Sequence, residues 1–295
     1  MRILPINDEE VKMQGWKDIY VSSHSGKVHI FYYYAGKEAK NVMVLHTPVI
    51  AIKNCYECYE QLGRIYHFNV FALDYAPGEG ECTGTCQDFT LSAMVENIDA
   101  AYEYIRGNYS YDIHLLGYTG AGGIIAQYYL GTGRSFKSFA QFACGIYGKT
   151  KPLGIPDFVA KPTLAICKLL VQINPNMFVN YKPPKSQGFH ANLDDEFYQS
   201  ITAREPGFFS LKVNSLLRIL ECMLGKESFL KVPIACPTLV FKTLHDRFFS
   251  KEYFDQYYCS LTCEKKIVEI NDTHNSYFIH PDIFMKEVAI WFNTH

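Results

Sequence analysis

The first third of the chain alternates short apolar runs with segments of helical periodicity. Residues 17–22 and 27–34 are rich in tyrosine, valine and isoleucine and flank a His-Ser-Gly turn, which predicts an antiparallel hairpin. The apolar runs at 41–46, 69–74 and 112–117 have no polar face, as is typical of strands buried on both sides of a sheet. The remaining predicted elements are helices at 53–67, 91–106 and 121–131 and a strand at 136–143. Strands that alternate with helices predict an α/β fold with right-handed crossovers and a mostly parallel sheet.

This alternation stops between residues 148 and 232. The elements predicted there are helices at 158–173, 193–204 and 208–224, and the pattern resumes with strands at 237–242 and 265–270 and a helix at 281–293. We therefore expect an α/β core formed by residues 1–147 and 233–295, with residues 148–232 inserted as a helical cap or lid. Ligands bind outside the carboxyl ends of parallel strands, so a pocket is expected between core and cap. The cap side chains predicted to face it are Phe158, Leu164, Ile166, Met177, Phe178, Phe208, Phe209 and Met223.

A cluster of small residues follows the strand at 112–117. The segment HLLGYTGAGGIIAQ (114–127) places four glycines and an alanine around Thr119. A turn from strand into helix needs such small residues when it must expose one side chain. The helix that starts there offers free N–H groups and a positive dipole end to a developing negative charge. Taken alone, Thr119 is equally typical of a helix cap.

Two polar residues follow the strands that resume after the cap. Asp246 lies in KTLHDRFF and His274 in NDTHNSYFIHPDIF. Imidazole titrates near neutral pH, which suits His274 as a general base, and a carboxylate on its other ring nitrogen would fix its tautomer and orientation. Each residue by itself could instead be a turn former or a structural histidine.

In order and spacing, these segments resemble the motifs of the α/β-hydrolase superfamily. VMVLHTP, which ends at Pro48, resembles the oxyanion turn, and FALDYAPGEGECTG (71–84) resembles the Asp-x-Arg-Gly-x-Gly-x-Ser loop. The resemblance spans nearly the whole chain. It implies the α/β-hydrolase fold: a mostly parallel sheet of about eight strands with helices on both faces and a helical cap. It also implies a triad of Thr119, Asp246 and His274, in the superfamily's order of nucleophile, acid and base, with Pro48 and Gly120 at the oxyanion hole.

Two positions depart from the superfamily pattern. Thr119 stands where serine, aspartate or cysteine is usual, and its β-branch restricts χ1 in a crowded turn. Pro48 stands where a backbone N–H is expected, and proline has none. One missing oxyanion donor typically lowers the rate about 10²- to 10³-fold. Both departures affect the acyl-enzyme machinery, while the acid–base pair is kept.

Three functions are compatible with these residues. The favoured one is an ester or thioester hydrolase that uses Thr119, Asp246 and His274 on a small, apolar substrate. The second is a non-hydrolytic enzyme in which His274 and Asp246 perform acid–base chemistry, such as a lyase, a C–C cleaving enzyme or a cyclase of natural-product biosynthesis. The third is a ligand-binding pseudoenzyme, although an inert descendant would have little reason to keep Asp246 and His274 in register.

The amino-acid composition favours some classes of binding partner and argues against others. Aromatic residues make up 15% of the chain, which suits an apolar or acyl substrate, either free or carried on another protein. The net charge is −2 without a basic run, so no nucleic-acid partner is expected.

The N-terminus is acidic and no apolar run reaches the ~18 residues of a membrane span, which predicts a cytoplasmic protein without membrane contact. The ten cysteines show neither a repeated CxxC nor finger-spaced histidines, so neither a metal nor a cofactor is predicted. An exposed cap face would suit a homodimer.

Overall fold

The strands and helices are those of a computed structural model, which describes residues 15–24, 26–48, 50–52, 55–76, 90–118, 120–180, 185–188, 190–204 and 209–295. The strands are β1 (Trp16–Ser23), β2 (Gly26–Tyr33), β3 (Asn41–Leu45), β4 (Asn69–Asp74), β5 (Ile113–Gly117), β6 (Phe139–Gln141), β7 (Phe178–Asn180), β8 (Ser210–Lys212), β9 (Thr238–His245) and β10 (Lys265–Thr273). The helices are α1 (Glu60–Arg64), α2 (Leu91–Asn108), α3 (Gly120–Leu130), α4 (Asp157–Ile173), α5 (Ala191–Arg204), α6 (Val213–Leu224), α7 (Lys251–Ser260), α8 (Ser276–Ile279) and α9 (Pro281–Thr294).

Within the described ranges, eight of the strands form one mixed sheet in the order β1-β2-β4-β3-β5-β6-β9-β10. Strand β2 pairs antiparallel with both β1 and β4, and all other neighbours in this sheet pair parallel. The predicted sheet of about eight mostly parallel strands is therefore confirmed, including its opening hairpin.

The central strands β3, β4 and β5 are buried throughout and mostly apolar, because helices cover both faces of the sheet. Their side chains alternate between two cores: Met43 and Leu45 pack on one face, and Val42 and Val44 pack on the other. Strands β4 and β5 follow the same period of two. Because β3, β4 and β5 are fully buried, their pairing register is fixed, and so are the positions of the loops at their carboxyl ends.

The segment 148–232, here called the cap segment, contributes no strand to the main sheet in the part that the structure describes. The helices α4, α5 and α6 lie in it, but it also contains the short antiparallel pair β7 and β8. The prediction of one helix over 208–224 is thus wrong at its start, where β8 precedes α6. The bounds of the core and cap as domains stay a prediction.

Two further differences from the predicted elements concern helices of the core. The helix expected over 53–67 is reduced to a 3-10 turn at Tyr56–Cys58 followed by the short α1. The helix α7 was not predicted, and it is capped by Ser250, whose hydroxyl accepts a hydrogen bond from the Tyr253 amide (3.2 Å). Among the described helices, none is long and apolar enough to cross a membrane.

Helix α3 packs so closely across the sheet that two of its glycines have no room for a side chain. A Cβ at Gly122 would lie 2.6 Å from the carbonyl oxygen of Leu45, and one at Gly123 would collide with that of Ala143. These contacts bring the start of α3 against the ends of β3 and β6, where the sequence predicts the catalytic turn.

We expect Gly123→Ala to lower the free energy of unfolding by about 1–3 kcal/mol, since backbone atoms must move to accept the methyl group. The matched control is Gly120→Ala in the same helix, where an added Cβ would meet nothing within 4 Å. It should stay within about 0.5 kcal/mol of wild type, or gain stability from the lower chain entropy. Urea denaturation measures both; equal losses would contradict the packing described for α3.

Candidate active site

Asp246 and His274 meet at the carboxyl end of the sheet. Asp246 follows β9 and His274 follows β10, two strands that are neighbours in the sheet. The ring nitrogen Nδ1 of His274 lies 2.7 Å from Oδ2 of Asp246, and their side chains are 8% and 2% exposed. Because the carboxylate accepts, Nδ1 carries the proton and Nε2 is left as the basic nitrogen.

The Asp246 carboxylate is held by three further donors. The backbone N–H groups of Phe248 and Phe249 both donate to Oδ1 at 2.8 Å, and the Thr243 hydroxyl donates to Oδ2 at 2.9 Å. Hydrogen bonds of this kind fix the orientation of a carboxylate. The carboxylate is therefore locked in the position that orients His274.

The basic nitrogen of His274 has a partner that the sequence did not indicate. The Tyr277 hydroxyl lies 3.0 Å from Nε2 and donates to it, since Nδ1 holds the ring's own proton. Burial raises the pKa of Tyr277 well above its usual value, so the phenol stays protonated. In the sequence, only its spacing of three residues from His274 could have indicated this contact. That signal is weak, because a buried tyrosine in an aromatic-rich loop is ordinarily a packing residue.

The predicted elbow lies beside this pair. Thr119 itself is outside the described residues, but β5 ends at Gly117 and α3 begins at Gly120. The hydroxyl of Tyr118 donates to the carbonyl oxygen of Tyr277 at 2.6 Å, which ties the elbow to the loop that bears His274. The chain on either side of Thr119 is thus fastened next to the candidate base.

The turn that contains Pro48 is supported by a buried network of charged groups. Asp74 accepts from the Ile52 amide (3.1 Å) and from Nδ1 of His29 (2.7 Å), and Nε2 of His46 lies 3.5 Å from its carboxylate. Burial alone would raise the pKa of Asp74, but the hydrogen bonds and charges of the two histidines hold it below its usual value. Likewise burial would lower the pKa of His29, and its bonds to Asp74 and Asp18 raise it on balance. Pro48 is buried within this turn and offers no donor.

One carboxylate of the cap segment contacts the loops that carry both Asp246 and His274. Asp194, in the first turn of α5, is fully buried and accepts from the backbone N–H of Asn275 at 3.0 Å. It also lies 2.9 Å from the guanidinium of Arg247. Because Arg247 follows Asp246 and Asn275 follows His274, α5 bridges the two loops. Sequence inspection missed this role, because an acidic residue in a first helical turn is ordinarily explained by the helix dipole.

Replacing Asp194 by alanine should cost about 3–5 kcal/mol of stability, because Arg247 is left buried without its main counter-charge. The control is Asp195→Ala, which removes a partner of the same arginine whose side chain is 52% exposed. Exposed pairs contribute about 0–1 kcal/mol. Thermal unfolding of the two variants measures the difference, and a loss at Asp195 as large as at Asp194 would contradict the bridging role.

A cavity of about 450 Å³ lies between the core and the cap segment and reaches His274. Its core side includes Thr47, Gly120 and Tyr277. The cap segment contributes Pro152, Leu153, Gly154, Ile155, Thr163, Val179, Phe197, Tyr198, Phe209, Leu211, Leu216 and Ile219. Of the cap residues predicted to face this pocket, Phe209 does so, Phe208 is outside the described residues, and the remaining ones do not line it. Phe158, for example, is 85% exposed, because α4 presents that face to solvent.

No family model matches the sequence, and no curated protein matches it in a sequence comparison. Solved structures do match along nearly the whole chain. DcsB in complex with its substrate analogue superposes with a TM-score of 0.70 at 12% identity, covering 95% of this chain and 99% of that one. A carboxyl esterase from Bacillus coagulans gives 0.66 at 15% identity, covering 95% and 98%. The enol-lactonase from Burkholderia xenovorans LB400 gives 0.62 at 14% identity, covering 94% and 100%. The sheet order and these superpositions together show that the protein has the α/β-hydrolase fold.

Proposed function

We propose that the protein hydrolyses esters or thioesters of a small apolar acyl group through a triad of Thr119, His274 and Asp246. The observation that carries this proposal is the Asp246–His274 pair, which is fully hydrogen-bonded and opens onto an apolar cavity beside the start of α3. The superposed esterase and lactonase, named for reactions at acyl carbons, support the same class of chemistry.

In this proposal the Thr119 oxygen attacks the acyl carbon while its proton passes to Nε2 of His274. Asp246 stabilises the resulting imidazolium, which then protonates the departing alcohol or thiol. Water attacks the acyl-enzyme with His274 again as base, which releases the acid and restores Thr119. The oxyanion faces the positive end of α3, where the amide of Gly120 is the candidate donor. Pro48, the other predicted oxyanion-hole residue, has no N–H to donate.

The test is a panel of p-nitrophenyl esters and acyl thioesters of increasing chain length. Each buried methylene contributes about 0.8 kcal/mol, so kcat/KM should rise about fourfold per carbon until the cavity is full. The control is His274→Ala, which should remove the activity at every chain length. Activity that is independent of chain length, or that survives in His274→Ala, would speak against the proposed site.

A second candidate is supported by the Tyr277–His274 hydrogen bond. In a non-hydrolytic acid–base enzyme, such as a lyase, a C–C cleaving enzyme or a cyclase, Nε2 would take a proton from the substrate and the Tyr277 phenol would supply one. The tyrosine already lines the cavity and stays protonated, as an acid at this position must.

Tyr277→Phe separates the two candidates because it removes only the hydroxyl. A hydrolase that uses Thr119 should keep kcat within about tenfold, since Nε2 then bonds the nucleophile alone. An acid–base enzyme that uses Tyr277 should lose about 10²- to 10⁴-fold. The measurement is kcat on the best substrate of the panel, with Tyr258→Phe as a control, because Tyr258 contacts the Lys265 carbonyl outside the cavity.

A further inference from the structure

Two histidines and an aspartate converge on one point away from the cavity. His190 lies in the cap segment just before α5, Asp272 lies near the end of β10, and His280 joins α8 to α9. One ligand atom from each lies within 4.8 Å of the other two. None of the three lines the cavity or takes part in the proposed hydrolysis.

The cluster contains a buried carboxylate that contacts one of the two imidazoles. Asp272 is 4% exposed, and Nδ1 of His190 lies 2.9 Å from its Oδ1. The rings of His190 and His280 are 5.1 Å apart, centroid to centroid. Among the described residues, no hydrogen-bond partner is found for Nε2 of His280, although that atom is buried. Buried polar atoms normally have partners, so this nitrogen is suited to a ligand that the described residues do not supply.

We propose that His190, Asp272 and His280 bind a divalent transition-metal ion of the zinc type. Two imidazole nitrogens and a carboxylate oxygen form a common ligand set for Zn²⁺, and a water molecule would complete four-coordination. The ion neutralises Asp272 and gives the Nε2 atom of His280 its partner. A hydrogen-bonded His190–Asp272 pair without metal accounts for neither the nearness of His280 nor its buried nitrogen.

The ion would also join the cap segment to the core. His190 immediately precedes α5, which carries Asp194, and Asp272 precedes His274 by two residues. The site therefore adds a second fastening between α5 and the loop of the candidate base. This site was not predicted from the sequence, because the three ligands match no short metal-binding motif.

The full-length protein, stripped with a chelator, is titrated with ZnCl₂ by isothermal titration calorimetry. We expect one site per chain. The variants His190→Gln, His280→Gln and Asp272→Asn should each weaken binding at least about tenfold. His67→Gln, at an exposed histidine outside the cluster, is the matched control and should bind as wild type does.

Thiols are the alternative zinc ligands, since Cys259 is exposed. Titration with Co²⁺ distinguishes them, because thiolate ligation adds a charge-transfer absorption that imidazole and carboxylate ligands lack. For variants that fold poorly by circular dichroism, the wild-type protein supplies a second measurement. Zn²⁺ should protect His190 and His280, but not His67, from diethylpyrocarbonate. Absence of a stoichiometric site, unchanged affinity in a folded His280→Gln variant, a thiolate spectrum or lack of protection would each overturn the proposal.

Discussion

Thr119→Ala is expected to abolish ester and thioester hydrolysis, lowering kcat by about 10⁴-fold or more. The substitution removes the attacking oxygen, and loss of a nucleophile typically costs several orders of magnitude. Thr119→Ser should keep or raise the activity, because it retains the hydroxyl and removes the β-branch that restricts χ1 of threonine. Steady-state kinetics on the best substrate of the panel measures both variants.

His274→Ala serves as the reference for this comparison. If Thr119 is the nucleophile, Thr119→Ala and His274→Ala should be inactive to a similar degree, because the two residues act as a unit. If His274 works without a nucleophile, Thr119→Ala should retain kcat within about tenfold while His274→Ala loses about 10²- to 10⁴-fold. The second pattern would favour the non-hydrolytic acid–base enzyme over the hydrolase.

Asp246→Asn is the second change with a large expected effect, about 10⁴-fold in kcat, since an amide here favours the wrong tautomer of His274. The local hydrogen bonds dictate that outcome. Phe248 and Phe249 donate two N–H groups to one carboxylate oxygen, so the amide oxygen of the new asparagine must take that position. Its NH₂ group then faces Nδ1 of His274 and donates to it, which leaves the proton on Nε2 and removes the base.

The matched control is Asp255→Asn. Asp255 is 56% exposed, and its carboxylate lies 2.6 Å from the ammonium group of Lys242. Replacing this exposed carboxylate by an amide should leave kcat unchanged. A kcat of Asp246→Asn within about tenfold of the wild-type value would contradict the assigned role of Asp246.

The sequence could predict the sheet because its central strands have a simple cause. The runs at β3, β4 and β5 are mostly apolar on both faces, a pattern that is typical of strands buried between two helical layers. The strands β7 and β8 were missed because three-residue strands are too short to show alternation. The helix α7 was missed because its sequence, KEYFDQYYCS, is rich in aromatics that favour strands as much as helices.

For the site, local motifs placed Asp246 and His274, and the fold brings them within hydrogen-bond distance. The residues that hold them in place were beyond reach. Asp194 meets Asn275 across 81 positions of sequence, and no local pattern encodes such a contact. Tyr277 is close in sequence to His274, yet its function depends on which ring nitrogen faces it. That orientation is set by Asp246 and not by the tyrosine's own segment.

The most direct measurement of the central claim is intact-protein mass spectrometry after reaction with a serine-directed acyl phosphonate, followed by peptide mapping. We expect a single covalent adduct on Thr119 in the wild-type protein and in Thr119→Ser. We expect no adduct in Thr119→Ala and slow labelling in His274→Ala, where the base is missing. An adduct on another residue, or full turnover of native substrate by a Thr119→Ala protein that carries no adduct, would contradict it.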